Sequence, residues 1–409
     1  MPLSAEVPRS TSVAIIGGGI MGISLAWHLA RRGQRDVTVF ERQTVGAGAS
    51  GRTAALLRQH YTNQHEARLA HHGLDFYRRW AEIVDPTPVH TSCPLVVTVP
   101  TGRGFEGNVD RLRLNVKMQR SLGIQTRIVT ADELRALQPY ARTDDLRCAA
   151  LEADSGYVDA PSATRALAVA ARRYGIRIVE HCPAEAVTVE RGRITGLRVH
   201  GEHVKADTLV CAAGPWSPQV LRSAGIQVPV EAIRVQVAVL QRPLHLEPPH
   251  FAYVDMAAGF FTRPYGPGRS LVGIAGGSQH DPVRPNSYRV AGDEEYFVPA
   301  RETLARRFPG MRQAVACFGW AGLYDMTPDA HPIIGPAGPR GLYLLAGFSG
   351  AGFKKAPAVG AALAGLILDG RSDPFDLAPF TFDRFQGDGW RVPWSGTEYL
   401  LSADFGHGL

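Results

Sequence analysis

The first apolar run of the chain, Val13 to Ile16, breaks into three successive glycines and is followed by a patterned segment with Ile23, Trp27 and Ala30 on one face. Apolar positions recurring every three to four residues predict a helix from Ser24 to Arg32, which Gly33 stops. A second apolar run, Val37 to Glu41, predicts the next strand. A helix is expected from about Glu66 to Ile83, after a small-residue stretch that ends in Arg58-Gln59-His60-Tyr61. Between about 87 and 150 this alternation of strand and helix is lost. Leu95 to Val99 reads as a strand there, and Thr130-x-x-Glu133 carries a capping-box pattern that starts a helix.

The rhythm returns at Pro161 with a helix to Tyr174, Gly175 and the strand IRIVE. Alternation from Ala186 to Val199 around Gly192 predicts a hairpin. TLVCAAGPWS follows as a strand running into a small-residue turn. From about 225 to 322 the segments QVAVL, GFFTRP and SLVGIAG predict antiparallel strands. Strand LYLLAG at Leu342 then leads through a glycine-rich turn to a helix from about Ala356 to Leu368. The expected fold is α/β, a Rossmann-like nucleotide-binding domain interleaved with a substrate domain on a mixed, largely antiparallel sheet with helices. Residues 10–85, 150–222 and 323–385 are assigned to the first domain and 86–149 and 223–322 to the second, with 386–409 as a C-terminal tail.

The first strand, turn and helix carry Gly17-x-Gly19-x-x-Gly22, and Glu41 closes the next strand nineteen residues after the last glycine. In this order the residues form a dinucleotide-binding βαβ fingerprint. Gly17 permits the tight turn, Gly19 lets the backbone approach a pyrophosphate, Gly22 lets helix and strand pack closely, and the Glu41 carboxylate accepts ribose hydroxyls. The fingerprint points to an adenine dinucleotide without distinguishing NAD from FAD.

Composition narrows the remaining classes. With 409 residues, 45% hydrophobic and 20% charged, the chain has an ordinary globular balance. It lacks a stretch of about 20 apolar residues and an apolar secretion signal, so a cytoplasmic protein without a membrane span is expected. A formal charge of +6 without a basic run disfavours nucleic-acid binding. Five scattered cysteines without a CxxC pair predict neither a disulfide frame nor a metal site. Only four of the forty-four basic residues are lysines, Lys117, Lys205, Lys354 and Lys355, and the last two are adjacent.

Those two lysines fall in the second informative segment, GLYDMTPDAHPIIGP (322–336) followed by LYLLAGFSGAGFKKAPAVG (342–360). A glycine-rich turn before a helix presents free N–H groups and a positive helix end, suited to a flavin edge where negative charge develops on reduction. The segment resembles the C-terminal flavin segment of the D-amino-acid oxidase superfamily, closest to its sarcosine oxidase, glycine oxidase and dimethylglycine dehydrogenase branch. The resemblance spans nearly the whole chain in order. It implies FAD contacts at Gly17, Gly19, Ile20, Met21, Gly22, Glu41 and Arg42. Further contacts are implied at Ala49, Ser50, Arg52, Thr53, Ala54, Ala55, Leu56, Val187, Ala212, Ala213, Gly214 and Trp216, and along the last loop at Gly347, Phe348, Ser349, Gly350, Ala351, Gly352, Phe353 and Lys354.

By the same resemblance Arg58 and Lys354 hold a substrate carboxylate, while Lys355 is read as the solvated neighbour. His331 resembles a family histidine near the flavin, and a structural role capping the turn before Pro332 is equally open. His60, Tyr61 and His65 are further pocket candidates, as is Arg263 on the strand FFTRPYG. Members of the branch attach flavin through a cysteine where this chain has Gly322, or a histidine where it has Arg52, so noncovalent FAD is expected. The family's oxygen-activating lysine falls in a stretch that offers Arg269 or Leu271, which leaves O2 or another electron acceptor open. The implied reaction is oxidation of an amino acid or, preferably, an N-substituted glycine beside nitrogen. A 2-hydroxy-acid dehydrogenase and the flavin subunit of a larger complex are the alternatives, and no oligomeric state is implied.

Overall fold

A computed structural model describes residues 6–102, 105–274 and 281–386. The end of the strand expected at SLVGIAG and all of the tail beyond Gln386 therefore lie outside the described residues.

The first strand, Ser10–Ile16, is flanked by parallel neighbours, Glu202–Cys211 on one side and Val37–Phe40 on the other, with Ile15 opposite Val210 and Val39. Leu342–Ala346 extends the sheet beyond Glu202–Cys211 and Arg177–Val179 beyond Val37–Phe40, both parallel. Ile333–Pro336 closes one edge antiparallel, and the hairpin Ala184–Glu190/Arg193–Val199 folds back on the long strand. Alternate residues of the first strand enter different cores. Val13 and Ile15 pack with Trp27, Phe76, Val359 and Leu363 under the helices, and Ala14 and Ile16 pack with Leu197, Leu209 and Leu344 opposite. Burial on both faces explains why these strands read as unbroken apolar runs.

The second sheet has eight strands in the spatial order 315–326, 231–241, 269–274, 260–264, 252–255, 95–100, 146–152 and 126–129. All pairs are antiparallel except Ala252–Asp255 with Leu95–Pro100. One face carries Ala238, Leu240, Phe260 and Val272 against helix Phe297–Arg307 through Ala300 and Leu304. Strands Leu146–Glu152 and Val315–Met326 run across the domain boundaries expected at 149/150 and 322/323.

Several local expectations map onto elements. Thr130 and Glu133 form the reciprocal capping box of helix Ala131–Leu137. The helix expected at 66–83 comprises Gln64–Arg78 and Trp80–Ile83. Helices Glu106–Ser121 and Phe297–Arg307 lie where only strands or no rhythm were expected. The last helix, Gly352–Asp369, begins a turn earlier than expected and so includes Lys354 and Lys355. Pro357 sits inside it and has no N–H for the carbonyl of Phe353. The Tyr77 hydroxyl donates to that carbonyl at 3.1 Å instead.

Candidate active site

The outer cleft lies along the C-terminal ends of the parallel strands, where ligands bind in open α/β sheets. Gly17 turns at φ +114°, and a Cβ there would lie 2.4 Å from the carbonyl oxygen of Ala212. A Cβ on Gly22 would come within 2.1 Å of the Gly17 carbonyl, so this glycine serves helix-to-strand packing and does not line the cleft. At Gly19 the nearest group is the Ser50 hydroxyl at 3.2 Å, and the Ser50 oxygen accepts from the Ile20 amide at 2.9 Å. Helix Ile20–Arg31 has no side-chain cap and no acid in its first turn, leaving its positive end to an anion.

Glu41 closes the loop. Its two carboxylate oxygens accept from the Gly18 amide at 2.7 Å and the Gln43 amide at 2.8 Å, and burial raises its pKa above the ordinary carboxylate range. Arg42 stacks on the Trp216 ring at 4.6 Å, and both side chains donate to Asn286 Oδ1 at 2.6 Å.

At the other end the turn from Gly347 to Ala351 is held from below by Asp325. Its Oδ2 accepts from the Gly347 amide at 2.8 Å, its backbone carbonyl accepts from the Ser349 amide at 3.1 Å, and burial pushes its carboxyl up to about 6. Gly350, at φ +78°, lies so close to the Tyr324 ring that a Cβ would approach to 2.7 Å. Helix Gly352–Asp369 again starts without an acid or a side-chain cap. The two helix starts thus open on the same cleft, close enough that a Cβ on Gly352 would lie 3.3 Å from the Met21 methyl carbon. Glycines where a Cβ would collide, a clasped acid at the ribose end and a cationic helix start at the ring end fit an extended dinucleotide.

A second, inner cavity meets this cleft at Arg52, Thr53, Val235, Gly322, Tyr324, Gly350 and Phe353, which line both. Its ceiling is the second sheet, through Ile233, Val235, Val237, Val254, Phe261 and Ile274. Phe261 lies over Gly273 of the adjacent strand, where a Cβ would come within 2.2 Å of the ring. The opposite end is polar, with Arg58, Tyr61, Glu66 and Lys354.

These four groups do not carry charge alike. Glu66 is buried and accepts from Lys355 Nζ, from His331 Nδ1 at 2.9 Å and from Asn63 Nδ2 at 3.0 Å. Although burial opposes it, Lys355 and His331 hold this carboxyl well below the ordinary range. Lys355 is thus spoken for. Lys354 is buried without such a carboxylate, and burial lowers its pKa, with the Tyr61 hydroxyl beside it opposing and Arg58 and Lys355 adding to the fall. Its place is fixed from behind by Gly73, where a Cβ would lie 1.7 Å from the Lys354 carbonyl oxygen. Arg58 donates to the His60 carbonyl at 2.6 Å and lies 4.4 Å from the Tyr61 ring centre. The result is an apolar cavity with two cations at one end, facing the ring end of the cleft.

The structure relocates several expected residues. Lys355 is fully buried in an ion pair, not solvated. Arg263 is outside both linings, because its guanidinium donates to the carbonyls of Ala54 at 2.7 Å and Pro264 at 2.9 Å and lies over the Tyr157 ring. It supports the Ala54 backbone from behind. His60 is fully buried outside both cavities, and burial lowers its pKa to about 3, so it stays neutral. His331 lies behind the inner cavity, bonded to Glu66, and His65 faces Asp376 at 3.7 Å. Val187 and Gly347 also lie outside the linings. The Val187 side chain packs in the second core, and Pro183, Ala184 and Glu185 reach the cleft in its place. Gly347 serves through its bond to Asp325.

The other FAD-contact candidates border one cavity or both. Sequence reasoning missed Tyr324, Asp325, Asn286, Trp320 and Glu66. Only Glu66 carried a local signal, since Asn63-x-x-Glu66 is a capping pattern, and Asn63 does cap helix Gln64–Arg78.

The model of the family described as FAD dependent oxidoreductase (DAO) matches residues 12–366. The chain belongs to the DAO family. It is an FAD-dependent oxidoreductase of the sarcosine and glycine oxidase branch. It is 28% identical over 394 residues to 4-methylaminobutanoate oxidase (formaldehyde-forming) of Paenarthrobacter nicotinovorans, covering 93% of this chain but 46% of that protein. It is 27% identical to peroxisomal sarcosine oxidase of Homo sapiens, covering 91% of this chain and 95% of the relative. Among solved structures, L-proline dehydrogenase from P. horikoshii superposes with a TM-score of 0.82 at 24% identity, over 92% of this chain and 97% of that one. The shared fold is that of the DAO family. No helix among the described residues is long and apolar enough to cross a membrane.

Proposed function

We propose that this DAO-family member oxidises a small carboxylate-bearing amine or amino acid, with an N-substituted glycine preferred, at a carbon bonded to nitrogen. The carrying observation is the pairing of Arg58 and Lys354 at one end of an apolar cavity that opens on the cleft. FAD would run from Glu41, at the ribose, past Gly19 and the start of helix Ile20–Arg31, at the pyrophosphate, to the turn 347–351. When bound it supplies a two-electron acceptor for hydride. Five cysteines are present and none borders either cavity, which supports noncovalent attachment.

In this reading Arg58 and Lys354 form charge-assisted hydrogen bonds to the substrate carboxylate and fix the adjacent carbon toward the cleft. The wall of Val235, Val237, Phe261 and Ile274 keeps water from the amine, whose lone pair must be free as the C–H hydride leaves. The substrate loses a hydride from carbon and a proton from nitrogen to give an imine. Water then splits the imine into an amine and an aldehyde or keto acid. An N-methyl group would leave as formaldehyde, the product in the name of the 4-methylaminobutanoate oxidase relative. Reoxidation by O2 to hydrogen peroxide completes the proposed cycle. A hydroxy-acid substrate would need a base at its hydroxyl, and neither His60 nor His331 borders the cavity.

Anaerobic mixing of the FAD-loaded chain with sarcosine, N-ethylglycine, proline, 4-methylaminobutanoate and lactate tests this reading. Bleaching of the visible flavin band by one or more of the amines is expected. A flavin that lactate reduces and none of the amines does would overturn it.

A further inference from the structure

Tyr61 is the member of the inner cavity that the carboxylate clamp leaves without a task. Its side chain is 2% exposed and borders the cavity beside Arg58 and Lys354. The Lys354 ammonium faces its hydroxyl oxygen, and no described residue accepts the hydroxyl proton. Buried hydroxyls nearly always use their proton, and one whose proton is left over inside a ligand cavity is available to donate to the ligand. The ring is fixed by cations, with Lys355 Nζ 4.1 Å and Arg58 Cζ 4.4 Å from its centre and Lys354 Nζ at 6.0 Å.

Resting on the carboxylate reading above, we propose that the Tyr61 hydroxyl is a third ligand of the substrate carboxylate, donating a hydrogen bond alongside Arg58 and Lys354. A carboxylate accepts at about four lone-pair sites, so two cations do not exhaust it. The hydroxyl adds direction, which a lysine ammonium lacks.

The charged groups around Tyr61 give this bond a proton linkage. Arg58 faces it from its own segment, Lys354 and Lys355 from the C-terminal helix, and Glu66 from helix Gln64–Arg78. Burial would raise the phenol's pKa, but the three cations outweigh both burial and Glu66 and bring it below its ordinary value. A bound carboxylate adds negative charge and needs the phenol proton for its hydrogen bond. Anion binding therefore favours the phenol over the phenolate. Affinity falls as rising pH takes the proton from either Tyr61 or Lys354, whose pKa is also lowered, and the tyrosinate absorbance reads the Tyr61 part of that fall.

The test uses the FAD-loaded full chain, with propanoate as a redox-inert probe and propanamide as its uncharged match, followed by perturbation of the flavin spectrum across pH. Tyr61→Phe keeps the ring between its cations and is expected to weaken propanoate about tenfold, the loss of one hydrogen bond to a charged group. Propanamide should change less than about twofold, since it lacks the charge that the bond serves. In the wild type, propanoate should move tyrosinate formation, read in the ultraviolet difference spectrum, to higher pH, and Tyr61→Phe should abolish that movement. If Tyr61→Phe binds propanoate as the wild type does while Arg58→Ala and Lys354→Ala bind it poorly, the Tyr61 assignment fails and the clamp stands. If all three variants bind it normally, the carboxylate reading itself fails. Should Tyr61→Phe not fold, a wild-type tyrosinate titration that propanoate leaves unmoved overturns the assignment by itself.

Discussion

Glu66 Oε2 lies 2.9 Å from His331 Nδ1, while its other oxygen takes the Lys355 ammonium, so one buried carboxylate holds two groups from distant parts of the chain. Breaking such a cluster from one side leaves a buried charge uncompensated, at a cost of about 3–5 kcal/mol. Glu66→Gln should lose stability in that range in denaturant titrations at neutral pH, and Glu66→Gln with Lys355→Met should recover part of it. The folded-state pKa of Glu66 is depressed. Its contribution is therefore complete above the unfolded carboxylate range and disappears as the pH falls through the folded value. The gap between wild type and Glu66→Gln should narrow in acid, and a gap that widens there excludes the ionised carboxylate as its cause.

The fingerprint glycines separate by what a methyl group would meet. At Gly22 a Cβ has the Gly17 carbonyl at 2.1 Å, a backbone atom that cannot step aside. At Gly19 it has only the Ser50 hydroxyl at 3.2 Å. Gly22→Ala should lower apoprotein stability by about 1–3 kcal/mol, as overpacking does. Gly19→Ala should leave apoprotein melting nearly unchanged and weaken FAD binding tenfold or more in equilibrium dialysis, about 1.4 kcal/mol. Equal FAD affinity in Gly19→Ala and wild type would remove the pyrophosphate from that position.

The fingerprint was legible because its parts are close along the chain and each glycine answers a local steric demand. The same holds for the capping box at Thr130 and for the alternating hairpin at 184–199. What joins the inner cavity is not local. Lys355 and Glu66 are 289 positions apart, and nothing around Gly73 in AHHGLDF announces that its missing side chain admits the Lys354 carbonyl. Arg263 and His60 misled because residue type and strand position do not reveal which way a side chain turns. Both turned inward, toward backbone carbonyls in one case and the core in the other. Helix Glu106–Ser121 escaped notice because it has no side-chain cap and alternates charged with apolar residues without a clear stripe.

Lys354 should be a stability cost retained for function. Its ammonium is buried without a carboxylate partner of its own, and burial depresses its pKa. Below the folded value both states are charged and the cost is complete, and it vanishes as the pH rises to the unfolded range. Lys354→Met should therefore stabilise the apoprotein at neutral pH by on the order of 1 kcal/mol, with the gain fading in alkali. The same variant should raise KM for carboxylate substrates tenfold or more, the loss of a charge-assisted contact. A destabilised Lys354→Met would mean that the contact of the ammonium with the Tyr61 hydroxyl outweighs the cost of its burial.

Asp325 reverses the sign of Glu66. Burial lifts its carboxyl from the ordinary 3.8 to about 6, and the Gly347 amide at 2.8 Å only partly offsets that rise. A raised folded value means stability is complete below the unfolded pKa and is lost as the pH climbs through about 6. Over that interval the loss amounts to about 3 kcal/mol. Asp325→Asn keeps an oxygen for the Gly347 amide and carries no charge. Its stability relative to wild type should improve between about pH 4 and pH 6 and level off above. Denaturant midpoints of the two apoproteins measured across that range decide the matter. Parallel profiles would show that the wild-type carboxyl ionises at its ordinary pH and that water reaches it beneath the turn.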